Sequence, residues 1–247
     1  MHAHARRRPV TVTVMAALVL LAVLSTGSSR AAPAKDTPVV VRPSQELAVL
    51  LGPQEALSRP DQHATPVELI QARRPMTEQP TVLPVIGHRT GADGRSWLHV
   101  MLPGRPNGRM GWIRERMTAQ AVTDWHIVVH TSRPRVVVYR NGRQVRVFMA
   151  IVGKPSTPTP QGEFFVEEAV RLAPGDAGAP YALALSARSN VFQEFAGGPG
   201  QVALHGVANI GGVLGTAVSH GCVRLSTAAI SWLGARIGTG TPVTITP

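Results

Sequence analysis

Asn141-Gly142 joins two runs rich in β-branched residues, 136–139 and 145–151. A two-residue hairpin turn needs positive φ at both central positions, which Asn and Gly tolerate, so the two runs are read as antiparallel strands. Val145, Val147 and Met149 alternate with Arg146 and Phe148, which predicts a strand with one face buried more deeply. Short apolar runs at 125–131, 163–166, 181–186, 201–205 and 241–245 extend the strand pattern. Ser226 is placed to cap one helix, with Ile230, Leu233 and Ile237 on a shared face and Gly238 closing it. Residues 121–247 are therefore expected to form one β-rich domain with a short C-terminal helix.

Upstream, runs at 67–70, 81–86, 97–102 and 110–113 are separated by turn-forming stretches at 91–94 and 103–108. So many short strands in so few residues predict a small β-barrel over 65–120. The stretch Ser96-Trp97-Leu98-His99-Val100, then Gly111-Trp112-Ile113, resembles a bacterial SH3-like module, a type often associated with wall binding. Trp97 and Trp112 are candidates for stacking on a ligand, but large aromatics dominate burial in small domains, so at least one is expected in the core. In 35–64, Pro38, Pro43, Pro53 and Pro60 limit the helical character of 45–51, and the segment reads as a linker or arm.

Arg6 to Arg8, an apolar run at 10–24 and Ala32-Pro33-Ala34 have the order of an export signal over 1–34. The apolar run is shorter than the roughly 20 residues a spanning helix needs, so membrane contact is expected only during export. The chain carries a net charge of +11, and 1–34 holds four arginines and no acid, leaving +7 for the remainder. Aromatics make up only 4% and no basic cluster is interleaved with them, which argues against nucleic acid. An anionic cell wall or membrane surface suits the charge equally well. The expected location is the cell envelope, in the periplasmic or cell-wall space.

Cys222 is the only cysteine. Disulfides are the usual use of cysteine outside the cytoplasm, and this thiol has no intrachain partner. It is either a buried small apolar side chain or a nucleophile. Its surroundings favour the second: His205 precedes it at the end of Val202-Ala203-Leu204, His220 stands two positions before it and Arg224 two after. A catalytic thiol needs a proton acceptor or positive neighbour and partial exposure. Zinc spacings are absent, and coordination would consume the thiolate, so neither metal nor other cofactor is expected.

His205-Gly206, a glycine-rich loop and Ser219-His220-Gly221-Cys222 with Arg224 resemble the signature of YkuD-type L,D-transpeptidases. Thr159-Pro160-Gln161-Gly162-Glu163-Phe164 resembles a second stretch of that family and is assigned a scaffold role. The resemblance implies a Cys222 nucleophile with His205 as general base. Gly206 stands where some members carry serine, so only its carbonyl is left to orient His205. His220 either polarises the carbonyl or holds the loop. The N–H groups of Gly221 and Cys222 are candidates for an oxyanion hole. Arg224 is placed to hold substrate carboxylate, its planar fork suiting bidentate binding. Ser219 and Gly206 are grouped with it as substrate-binding positions, the Ser219 hydroxyl being expected to fix the turn.

The implied activity is cross-linking of peptidoglycan by cysteine acyl transfer from a tetrapeptide stem to an acceptor amine. Carbapenem-type β-lactams are expected to acylate the same thiol. An L,D-carboxypeptidase, in which water resolves the thioester, and a non-catalytic wall-binding protein are the alternatives. Sortases also use His, Cys and Arg, but their histidine and cysteine lie farther apart.

Overall fold

Runs of β-branched and apolar residues cut by Gly and Pro form strands from Gln45 onward in the computed structural model, which describes residues 39–195 and 197–247. The segment read as an export signal lies outside the described residues. The first strands are β1 (Gln45–Leu50), β2 (Gln54–Leu57), β3 (Pro66–Ile70), β4 (Val82–Thr90), β5 (Ser96–Met101), β6 (Met110–Arg114) and β7 (Thr118–Thr123). They make a seven-stranded antiparallel sheet in the order β3-β2-β6-β5-β4-β1-β7.

The linker reading of 35–64, with its limited helical character at 45–51, is corrected from Gln45 onward by β1 and β2, while residues 35–38 lie outside the described residues. Leu47, Ala48 and Leu50 of β1, and Ala56 and Leu57 of β2, are buried. Gln54 fastens β2: its amide donates to the Met117 carbonyl (3.0 Å), and its carbonyl accepts from the Arg114 N–H (3.0 Å). Pro43 and Pro53 stand just outside the strands, where a missing N–H costs no ladder hydrogen bond. The N-terminal sheet therefore begins at Gln45 instead of residue 65. Trp97 is 1% exposed and belongs to its core, whereas Trp112 is half-buried and stacks on His99 with centroids 4.5 Å apart.

The second sheet contains β8 (Trp125–His130), β9 (Arg135–Arg140), β10 (Arg143–Gly153), β11 (Gly162–Arg171), β12 (Tyr181–Arg188), β13 (Gln201–Gly206), β14 (Ala217–Ser219), β15 (Val223–Leu225) and β16 (Pro242–Thr246). Its order is β14-β10-β15-β13-β12-β11-β16-β8-β9, and β9 also pairs with β10, which closes it into a ring with β14 as a spur. Asn141 and Gly142 make the β9–β10 turn with φ of 50° and 71°. The alternation in β10 is broken by a register irregularity between Gln144 and Arg146. Val147 and Met149 are exposed, and Phe148 packs inward against the Trp232 ring.

The single α-helix among the described residues, α1 (Thr227–Gly234), starts where Ser226 accepts from the Ala229 N–H (3.2 Å). It ends before Ile237, which is buried just beyond it. Tyr181 lies under this helix against Gly234, so it is a packing residue.

The two sheets interlock. Phe165 of β11, 1% exposed, packs in the N-terminal core with Leu83, Val85 and Leu98. Arg74 pairs with Glu167 and reaches Glu168 (3.6 Å), while Arg188 holds Glu167 (3.1 Å). The Thr77 N–H and hydroxyl donate to Glu168 (3.1 and 3.0 Å). Both carboxylates are almost wholly buried, a position they tolerate only because each is paired and hydrogen-bonded.

Candidate active site

β13 and β15 run parallel with His205 opposite Arg224 and Leu204 opposite Val223. Alternation along each strand then buries Leu204, Val223 and Leu225 and leaves His205 and Arg224 half-buried beside one another. Cys222, half-buried, stands immediately before β15. His205, His220, Cys222 and Arg224 all line one cavity of about 370 Å³.

The turn carrying the thiol is fixed from within. The Ser219 hydroxyl donates to the Cys222 carbonyl (2.6 Å) and accepts from the Gly221 N–H (3.1 Å). The Ser219 carbonyl accepts from the Lys154 N–H (3.0 Å) and the Thr157 hydroxyl (3.2 Å). Thr159 in turn accepts from the Gly153 N–H (2.9 Å), so the proline-rich loop between β10 and β11 buttresses the nucleophile turn. Gly221 sits at φ 120°, a conformation open essentially to glycine alone.

Three expectations are corrected here. Ser219 is fully buried with its hydroxyl engaged twice, so it shapes the turn and does not reach substrate. Gly206 is buried too: its N–H donates to the Gly178 carbonyl (2.7 Å), and a Cβ there would stand 2.3 Å from the Ala179 oxygen. It serves as an orienting carbonyl, not a substrate contact. The Gly221 N–H, committed to Ser219, is not an oxyanion donor.

His205 Nδ1 lies 2.9 Å from the Gly206 carbonyl, which can only accept, so Nδ1 carries the proton and Nε2 keeps its lone pair when the ring is neutral. Burial lowers the His205 pKa; the Gly206 carbonyl opposes this, and the Arg224 charge adds to it. Burial raises the Cys222 pKa, against smaller opposing effects of the Ala203 backbone and Arg224. Both shifts favour a neutral thiol and a neutral imidazole in the cavity that the two residues line, protonation states compatible with proton transfer from one to the other.

A second part of the lining comes from the loop between β12 and β13. Phe192 and Phe195 pack with centroids 5.4 Å apart, and the His220 ring lies over Phe195 at 5.8 Å and 28°. Ser189, Asn209 and Ile210 complete this side of the lining. Phe192 and Phe195 lie in a loop without strand or helix periodicity, so only their aromatic spacing of three set them apart. Arg224 faces the cavity with its Nε buried and unpartnered, and Nη1 makes a long contact (3.4 Å) to the Gly211 carbonyl.

Residues 124–245 match the family model described as the YkuD L,D-transpeptidase catalytic domain. Among curated proteins, YkuD of Bacillus subtilis (strain 168), assigned as an L,D-transpeptidase, is 31% identical over 121 residues, covering 49% of this chain and 65% of that protein. YkuD of Bacillus licheniformis, assigned likewise, is 31% identical over 123 residues, covering 50% and 66%. The chain thus spans slightly less than two thirds of the length of these relatives. Among solved structures, L,D-transpeptidase 3 from Mycobacterium tuberculosis with a faropenem-derived adduct aligns with a TM-score of 0.43 at 18% identity, covering 68% of this chain and 91% of that one. By the family match and the two relatives, residues 124–245 of this chain belong to the YkuD family of L,D-transpeptidase catalytic domains.

Proposed function

We propose that this protein is an exported peptidoglycan L,D-transpeptidase working in the cell envelope by cysteine acyl transfer. One observation carries the reading: the pairing of β13 with β15 gathers His205, Cys222 and Arg224 around one cavity, with the imidazole held so that its Nε2 lone pair is free.

In the first step the Cys222 sulfur attacks the carbonyl of the L,D-peptide bond in a tetrapeptide stem, and the thiol proton passes to His205 Nε2. Collapse of the tetrahedral intermediate breaks the C–N bond. The departing amine of the terminal D-residue takes the proton from His205, leaving a thioester. In the second step an acceptor amine attacks the thioester, His205 removes its extra proton, and the thiolate leaves and is reprotonated. Splitting amide exchange into two acyl transfers lowers each barrier. Arg224 holds a stem carboxylate with its fork. The His220 ring, braced on Phe195, flanks the carbonyl. A carbapenem-type β-lactam offers a strained carbonyl to the same thiol.

The test is to incubate purified protein with a disaccharide-tetrapeptide and follow intact mass and products, with Cys222→Ala as control. A Cys222-dependent thioester and cross-linked dimers are expected. Trimmed stems without dimers would replace the reading with a carboxypeptidase. Neither adduct nor product, from folded protein offered several stems and a carbapenem, would leave a wall-binding role.

A further inference from the structure

We infer that Arg105, in a loop of the N-terminal part, is a positioning residue for the cavity of the transpeptidase domain, so that the N-terminal part helps to build one wall of the site. Arg105 lies in the loop between β5 and β6. Its Nη2 donates to the Ser189 and Phe192 carbonyls (3.0 and 2.6 Å) and its Nη1 to the Pro199 carbonyl (2.8 Å). All three acceptors belong to the loop that carries Phe192 and Phe195.

The geometry explains why an arginine is needed. The carbonyl dipoles of Ser189, Phe192 and Pro199 all aim at the Arg105 guanidinium, an arrangement that repels itself unless a donor stands there. A guanidinium supplies several N–H groups in a fixed fork and keeps its charge when half-buried. The Ser189 hydroxyl closes the turn from inside, accepting from the Val191 and Phe192 N–H groups (3.2 and 3.0 Å). Asn107, two residues after Arg105, locks the adjoining chain: its amide donates to the Arg188 carbonyl (2.8 Å) and its oxygen accepts from the Arg188 N–H (2.8 Å).

A second route enters the same cavity. Gln201, which lines it, donates to Glu167 (2.9 Å), the carboxylate held by Arg74 of the N-terminal region. The aromatic wall against which His220 packs is thus set by side chains more than 80 positions upstream. Its effect on substrate rests on the acyl-transfer reading above; its effect on the loop does not.

The experiment compares wild type with Arg105→Ala, Arg105→Lys and, as a remote control, Arg89→Ala at the exposed end of β4. Hydrogen exchange of the amides in 189–200 is measured with no ligand. It is expected to accelerate about tenfold or more in Arg105→Ala, with β13 unchanged, and to be partly restored by lysine, since each charge-assisted bond is worth about a factor of ten or more. With stem peptide, KM is expected to rise about tenfold at a kcat within about twofold of wild type. Alkylation of Cys222 by iodoacetamide, too small to need the wall, should be unaltered.

Unchanged exchange in folded Arg105→Ala would overturn the inference. Faster exchange with unaltered KM would overturn its substrate half. If wild type turns over no stem peptide, the acyl-transfer reading fails, while exchange alone still decides the role of Arg105.

Discussion

The two sides of the cavity are built on different principles. The side bearing His205, Cys222 and Arg224 consists of strand ends and one turn whose backbone groups are satisfied from within the second sheet and its own loops. The side bearing Phe192 and Phe195 is a loop whose carbonyls are satisfied from another sheet. Rigid register suits chemistry, where a displacement of about 1 Å can cost a hundredfold in rate. A loop held by a few removable bonds suits recognition. Changes to the groups on the first side that act on the reacting bond, His205 and the Ser219 turn, should therefore fall on kcat, while changes to Arg224, which holds substrate, and to the second side should fall on KM.

The largest expected effect comes from His205→Ala, which should lower acylation by about a thousandfold, the scale of a lost general base. It should also alter the pH profile. On the proposed acyl-transfer reading, the reactive pair in wild type is thiol plus neutral imidazole. The rate falls as pH drops through a His205 pKa lying below the ordinary 6.5, and it rises again only as the thiol ionises above its ordinary 9.0. In His205→Ala the acid-side step should vanish and the alkaline rise remain. An unchanged acid limb would assign that limb to another group.

Ser219→Ala comes next. It removes two hydrogen bonds in the turn and leaves the Gly221 N–H without its acceptor, so kcat should fall about a hundredfold with KM little changed. Arg224→Lys replaces a fork by a point charge and should raise KM for stem peptide about tenfold, more than an arginine-to-lysine change at Arg89. The smallest effect is expected from Phe195→Ala: of its ring contacts to Phe192 and His220, the one to His220 bears on substrate, at about 0.5–1.5 kcal/mol, and its loss should raise KM two- to tenfold and spare kcat. If Phe195→Ala lowered kcat as far as Ser219→Ala, the division between the two sides would collapse.

The same contrast governs what could be read without coordinates. Cys222, His205 and Arg224 were legible because strand alternation and short spacing bring them together, so local sequence carries the geometry. The Asn141-Gly142 turn and the cap at Ser226 were legible for the same reason. The engaged Gly221 N–H was not, because one hydroxyl, Ser219, decides it. Phe192 and Phe195 escaped notice because their placement depends on Arg105, far away in sequence. β1 and β2 were misread as an arm because Pro43 and Pro53 were weighed as breakers, when they stand at strand boundaries. In β10 the alternation was real, but a register irregularity and the Trp232 ring decided which face turned inward.

Phe165 has a consequence for the chain as a commodity of evolution and of the laboratory. A bead on a tether can be exchanged for another bead, since nothing of its neighbour's interior leaves with it. Here, severing the chain between Thr123 and Asp124 would strip Phe165 of its pocket and leave Glu167 and Glu168 without Arg74 and Thr77. The catalytic half would carry a greasy scar and one orphaned charge, Glu168, beside a Glu167 held only by Arg188 and Gln201, and the other half a hole in its middle. The two parts are shaped to melt together and to be inherited together.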